Sequence, residues 1–409
     1  MTTPKKRENP KKNLCTETKS SRSLEAGSIP PVAPPCKSKT RRFAMDREAL
    51  RMVCSPEFWR MGVLWTLSLL YSYLLLFLRG RTAAPRSRRN VGGRDCGERS
   101  RPICVVTGAT SGLGQAAAAA LAREGYHVLL AGRSLQLLSK TAQEIQRQQP
   151  NACLEKFQVD LSSYSSIKKF ETSLSQWFRD SNREPSIQLL INNAGILAKS
   201  HRVTKDGIDE MMQTNYVGPF ILTSILLPLL KNSPVPSRVV NLTSFTHRCV
   251  SEIDVSEETL RGVKFGQHSV GRSYPVASTY EYTKFCLLMF TYELHRQLHI
   301  SSGISVMAAD PGVVETSIMR ELSPCLSRFA FFGLRILHLL QQPDTGIDAV
   351  LDAALAPPEA SGKYFFGGRG RTVRSSALSY DMEAAKKLWA ESSALLQELQ
   401  LRDYESRTS

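Results

Sequence analysis

The run VVTGATSGLGQAAAAALA, residues 105–122, constrains the fold more than any other stretch of the chain. A short β-rich segment leads straight into Gly108, Gly112 and Gly114, and then into an alanine-rich helix former. Glycines between a strand and a helix let backbone approach a pyrophosphate, which then rests on the helix N-terminus. Three loop glycines mean little alone. Here they stand in the strand–loop–helix context that a dinucleotide-binding βαβ unit needs. Further apolar runs follow: HVLLAGR at 127–133, FQVDL at 157–161, IQLLINNAG at 187–195, SRVVNLTS at 237–244 and ISVMAADPG at 304–312. Helical stretches separate them. This alternation predicts an α/β fold, a doubly wound parallel sheet with helices on both faces.

The second strand would end in an acid if it bound the ribose hydroxyls of NAD. It ends instead in Gly132 and Arg133. A guanidinium suits a 2′-phosphate, so NADP(H) is favoured over NAD(H). The competing reading of Arg133 is a solvent-exposed charge at a strand end. Asp160 closes the third strand and is expected at the adenine edge, unless it serves as a helix N-cap.

The formal net charge is +16, but it is unevenly placed. Residues 1–101 hold 22 Lys and Arg against 8 Asp and Glu, whereas the remainder holds 31 against 29. A basic arm can be a targeting signal, a membrane-surface patch or a nucleic-acid tail. The near-neutral body argues against a DNA-binding domain, and no nucleic-acid partner is expected. The nine cysteines are scattered, with no CxxC, so neither a disulfide framework nor a metal site is suggested.

Residues 1–56, rich in Lys, Ser and Pro, read as a disordered arm. Residues 57–80 contain MGVLWTLSLLYSYLLLFL, uncharged and bracketed by Arg60, Arg79 and Arg81. Its 18 residues reach ~27 Å, about the thickness of a bilayer's hydrocarbon core. A single-pass transmembrane anchor is expected; the alternative is a buried core helix. Residues 81–101 then read as a linker. Removing residues 1–100 is therefore expected to release a folded, largely soluble domain, 102–409. Flanking arginines barely favour a cytosol-facing C-terminal side. The endoplasmic reticulum and the plastid envelope both fit such an anchor.

The segment VASTYEYTKFCLL, 276–288, poses the chemical question. Tyr280 and Lys284 are four residues apart and share a helix face, while Tyr282 is two off and does not. A lysine ammonium beside a phenol favours the tyrosinate. With Thr107, Gly108, Gly112 and Gly114 in a TGxxxGxG pattern, NNAG at 192–195, a strand ending in Ser244, and PGVVET at 311–316, the chain resembles the short-chain dehydrogenase/reductase superfamily. Within it, the chain resembles the retinol dehydrogenase-like and WW-domain oxidoreductase-like group, plant members included. QTNYVGPFILTSILLPLL at 213–230, the spacing from Ser244 to Tyr280, and the C-terminal SGKYFFGG and AAKKLWAESSALL carry that closer likeness.

The resemblance implies an oxidoreductase acting on a lipophilic carbonyl or alcohol, with Tyr280 as acid/base. It implies that Lys284 holds the nicotinamide ribose, Ser244 bonds the substrate oxygen, Asn215 anchors a relay water and Thr316 holds the carboxamide. Gly108, Ser111, Gly112, Leu113, Gly114, Arg133, Asp160, Asn193, Ala194, Gly195, Pro311, Gly312 and Val314 would line the cofactor. Read bottom-up, Ser244 is also a plausible strand-end cap and Asn215 a buried residue bonded to backbone. Tyr282 stands where the family prefers a small residue and is expected to reshape the pocket wall; Asp310 stands where the subgroup often has His. CLSRFAFFGLRILHLL, 325–340, reads either as core or as a substrate lid that touches the bilayer. A homo-oligomer is compatible with the sequence. The rival function is a regulator that senses NADP(H) on this fold with little turnover.

Overall fold

The computed structural model describes residues 56–79, 81–82, 100–267, 274–298, 302–315, 318, 332–336 and 339–408. The basic arm through residue 55, residues 83–99 of the linker, Thr316 and most of 325–338 lie outside the described residues.

The strands, in chain order, are β1 (Arg81–Thr82), β2 (Ile103–Thr107), β3 (His127–Gly132), β4 (Leu154–Gln158), β5 (Leu189–Asn192), β6 (Ser237–Leu242), β7 (Ile304–Asp310), β8 (Val313–Val314), β9 (Leu340–Gln341), β10 (Tyr364–Phe366) and β11 (Arg371–Val373). Among the described residues nine of them form one sheet, in the order β1-β11-β10-β7-β6-β5-β2-β3-β4, and β8 pairs separately with β9. Pairing is parallel from β4 to β10; β11 and β1 close one edge antiparallel. Every residue of β2, β3, β6 and β7 is buried. Strands covered on both faces read as continuous apolar runs, which is why they were visible in the sequence.

Two cores flank the sheet. One packs the helices Tyr164–Asp180, Gly218–Lys231, Val276–Leu298 and Met382–Thr408 on one face. The other packs Gly112–Arg123, Leu135–Gln148 and Asp348–Ala354 on the opposite face. The doubly wound architecture is thus present. Strand order reverses between β2 and β5, and their carboxyl ends open the crevice where ligands bind in such sheets.

The apolar helix Pro56–Arg79 does not stand apart from this body. It is long and apolar enough to cross a membrane, over Phe58–Leu78. Yet Ser68, Leu69, Ser72 and Leu76 are buried, and Leu69 and Leu76 join a cluster with Phe245, Leu288, Tyr292, Tyr364 and Phe366. Ser68 Oγ donates to the Phe245 carbonyl at 2.7 Å, and Arg248 Nε donates to Ser72 Oγ at 3.1 Å. Arg81 and Thr82, read as the start of a linker, instead pair with β11. The edge strand supplies unpaired backbone groups, and the chain leaving the helix meets them.

Candidate active site

A cavity of about 850 Å³ runs from Arg133 and Asp160, past the glycine loop, to Tyr280, and ends against the apolar helix. Its dinucleotide end is built from tight backbone packing. Gly108 and Gly112 have φ of +65° and +54°, in the left-handed region. A Cβ on Gly114 would stand 2.2 Å from the Gly108 carbonyl oxygen, so only glycine lets the helix start there. Ser111, Gly112 and Leu113 line the cleft at that helix N-terminus, and the Ser111 side chain makes no capping bond. First-turn amides without a side-chain cap suit an anionic group.

Asn193 has a different emphasis from the one expected. Its Nδ2 donates to the Thr107 carbonyl at 2.7 Å, so the side chain braces the glycine loop across the switch point. Thr107 Oγ1 accepts from the amides of Asn193 and Ala194 at 3.0 and 3.1 Å. Arg133 is exposed at the cleft mouth. Asp160 lines the cleft, and its Oδ1 accepts from Ser162 N and Oγ at 3.0 and 2.7 Å. The N-cap of the next helix is Ser163, not Asp160. Gly195, Ala194, Pro311, Gly312 and Val314 line the same cleft.

At the other end Ser244, Tyr280 and Lys284 converge. Tyr280 and Lys284 lie on the long helix Val276–Leu298, buried along nearly its whole length. Lys284 Nζ donates to the Leu242 carbonyl at 2.9 Å and lies 5.9 Å from the centre of the Tyr280 ring. Burial pushes the Tyr280 phenol above its ordinary value, and a hydrogen bond with Ser244 pulls the other way. Burial, with the Asp310 carboxylate acting in the same direction, dominates over the lowering expected from Lys284. Burial also brings Lys284 down to about 8, although the Asp310 carboxylate opposes this. Asp310 itself is raised to about 6 by burial while accepting from Gly312 N and Tyr364. Desolvation therefore outweighs the mutual attraction of Lys284 and Asp310 on both sides.

Asn215 sits in a π-helical turn, Gln213–Val217. Its Oδ1 accepts from Ile196 N at 2.8 Å, and its Nδ2 donates to the Ile196 carbonyl and to Thr283 Oγ1 at 2.9 and 3.1 Å. It is thus a buried residue bonded to backbone. It also flanks the cleft floor: a Cβ on Gly195 would lie 3.3 Å from its Oδ1 and 3.4 Å from Lys284 Nζ. Tyr282 does not reshape the pocket. Its hydroxyl donates to the Asp254 carbonyl and accepts from Asp254 N, and its ring packs beside Phe265 and Phe285. In the 325–340 stretch Gly333 and Leu334 line the cleft, Leu339 is buried, and Phe332 and Ile336 are exposed.

Three contributors carried no sequence signal strong enough to find them. Trp65, from the apolar helix, places its ring 5.6 Å from the Tyr280 ring. Glu281 holds that helix. His247 supports Ser244: its Nδ1 donates to the Ser244 carbonyl at 2.6 Å, and its Nε2 accepts from Ser376 N at 3.1 Å. Burial lowers its pKa to about 3. The folded state keeps this ring neutral while the unfolded chain protonates it near 6.5. Stability from His247 is therefore complete above ~6.5 and is lost as pH falls toward ~3, amounting to about 2 kcal/mol by pH 5. Urea titrations at pH 7 and 5 should show that loss, and His247→Gln should remove that part of the pH slope. Among the described residues no cluster of His, Cys, Asp and Glu could hold a metal ion.

Sheet, crevice, glycine loop and the Ser–Tyr–Lys constellation define a class of protein. The chain belongs to the short-chain dehydrogenase/reductase family and is a dehydrogenase or reductase; the short chain dehydrogenase profile matches residues 102–251. It is 32% identical to human retinol dehydrogenase 13 over 300 residues, 71% of this chain and 83% of that protein. It is 30% identical to human polyprenol dehydrogenase over 301 residues, 71% of this chain and 83% of that protein. A crystal structure of an uncharacterized protein from Mycobacterium paratuberculosis superposes with a TM-score of 0.52 at 28% identity, covering 73% of this chain and 94% of that one. The two human relatives bear out the retinol dehydrogenase-like group expected from the sequence.

Proposed function

We propose that this protein is a membrane-attached, NADP(H)-preferring oxidoreductase that interconverts a lipophilic alcohol and its carbonyl. One observation carries the reading: a single cleft joins the glycine loop, the Ser244–Tyr280–Lys284 group and a wall of apolar side chains. Relatives named for retinol and polyprenol support the lipophilic class. The nicotinamide supplies or accepts the hydride. Tyr280 donates the proton to the carbonyl oxygen in reduction and removes it in oxidation. Ser244, within hydrogen-bond reach of that phenol, steadies the same oxygen. Lys284 keeps positive charge under the ring and holds ribose hydroxyls. Asn215 fixes the backbone beside Lys284 and anchors a water that returns protons. Thr316 and the Pro311–Val314 stretch hold the carboxamide side. The apolar helix retains the protein at a membrane, with the catalytic domain facing the cytosol and the basic arm preceding it.

Two measurements test this reading. Arg133→Ala should weaken NADPH selectively, by roughly ten- to a hundredfold, the loss of one charged contact of ~1.5–3 kcal/mol. Equal affinity of the unmodified protein for NADH and NADPH contradicts the preference. Reductive kcat/KM should also fall as pH rises through about 8, where Lys284 loses its proton. Lys284→Arg, which keeps its charge, should lack that limb at whatever activity remains.

A further inference from the structure

We infer that the apolar helix is a wall of the substrate site, latched beside Tyr280 by Glu281, so that a long isoprenoid-type chain reaches the catalytic group directly from a lipid surface. This rests on reading Tyr280 as the acid/base for a lipophilic carbonyl.

The latch is made of charge and geometry. Glu281 follows Tyr280 in sequence, and its side chain is only 3% exposed. Its Oε2 accepts from Arg60 at 2.9 Å and its Oε1 accepts from Trp65 Nε1 at 2.7 Å. Arg60 also donates to Ser278 Oγ at 2.6 Å. A buried carboxylate is tolerated only when paired. Arg60 and Trp65 both come from the apolar helix, beside the reacting phenol. Met61, Trp65 and Leu69 then line the cleft on that side.

The helix has two unlike faces. Trp65, Ser68, Leu69, Ser72 and Leu76 turn toward the domain. Trp59, Val63, Leu67, Leu70, Leu74 and Phe77 are exposed, up to 87% at Phe77, and Trp59, Val63 and Leu67 also line the cleft, so the cleft opens onto this face. Their spacing of four, four, three, four and three places them on one stripe. Contacts from Arg60 to Leu76 run ~24 Å along the axis, most of the length a bilayer's ~30 Å core would need. The same turns cannot be both seated on the domain and surrounded by lipid. Seated, the helix offers its stripe to a membrane lying alongside; Phe332 and Ile336, from the segment whose Gly333 and Leu334 line the same cleft, are exposed as well. No charge interrupts residues 61–78. A lipid surface is the occupant that fits an uncharged stripe whose one polar side-chain group is the Trp59 indole N–H, a group suited to the membrane–water interface.

The test uses the full chain in membranes. Cys249 lies beside Ser68 across the seat, at the end of the turn Phe245–Cys249 whose first carbonyl Ser68 bonds. Ser68→Cys should cross-link to Cys249 under copper–phenanthroline or with a short thiol-reactive spacer, as read by peptide mass spectrometry. The locked protein should still reduce farnesal. No cross-link by either reagent, or farnesal turnover abolished by the lock, overturns the proposal. In parallel, Trp65→Ala should lower the ratio of kcat/KM for farnesal over prenal by roughly tenfold, through KM, and Trp65→Phe should restore it. An unchanged ratio, with both aldehydes turned over, overturns the wall while leaving the catalytic reading intact. If the unmodified protein reduces neither aldehyde with either nicotinamide cofactor, the catalytic reading fails and the cross-link alone reports the seat.

Discussion

Tyr280→Phe should leave folding and NADPH binding nearly intact while lowering turnover by ~10²–10⁴-fold, the range expected for one positioned proton donor. The substitution keeps the ring, and so keeps its packing on Trp65 and its place above Lys284. It removes the hydroxyl that meets Ser244. Tyr282→Phe is the matched control on the same helix. Its hydroxyl is bonded to the backbone of Asp254 and does not line the cleft. That change should cost about 1 kcal/mol of stability and little turnover. Thermal melting with NADPH present separates unfolding from lost chemistry. Activity lost in Tyr282→Phe but kept in Tyr280→Phe would reverse the assignment.

Deleting residues 1–100 should produce a markedly less stable protein, not the independent soluble domain that the sequence suggests. Leu69 and Leu76 are buried in a cluster with residues of β10, β11 and the catalytic helix. Burying a leucine is worth about 1.5–3 kcal/mol, so losing two removes about 3–6 kcal/mol. Whole domains are stable by only ~5–15 kcal/mol. The deletion also strips β1 from the edge of β11 and leaves Glu281 without Arg60 and Trp65. Deleting residues 1–55 instead keeps the helix and should melt like the full chain. Equal melting temperatures for the two truncations in the same detergent would show that the helix adds nothing to the fold.

The parts legible from sequence share a physical cause. Strands buried on both faces produce continuous apolar runs. Glycine at 108, 112 and 114 answers local demands of backbone conformation and close approach. Tyr280 and Lys284 announce themselves because four residues make one helical turn. What escaped depends on partners far along the chain. Arg60 and Glu281 are 221 residues apart, and nothing local marks the carboxylate between two tyrosines as a latch. Hydropathy sums round the helix and so hid its two faces, although Trp65, Ser68, Leu69, Ser72 and Leu76 already repeat at helical spacing. Tyr282 was misjudged because its position was compared, while its hydroxyl answers to Asp254 in a preceding loop. Spacing places Lys284 one turn from Tyr280 but carries no information on desolvation, which raises the phenol and lowers the lysine.

Transfer of a labelled hydride tests the central claim most directly. The purified full chain, in lipid, is given farnesal and NADPH deuterated at the transferable position, and the alcohol is analysed by mass spectrometry. Deuterium should appear at the carbinol carbon with the unmodified protein and fall by at least ~10² with Tyr280→Phe, although that variant still binds NADPH. Stoichiometric NADPH binding with no deuterium transferred to farnesal, retinal or a short aldehyde would contradict the account and favour a sensor of the cofactor.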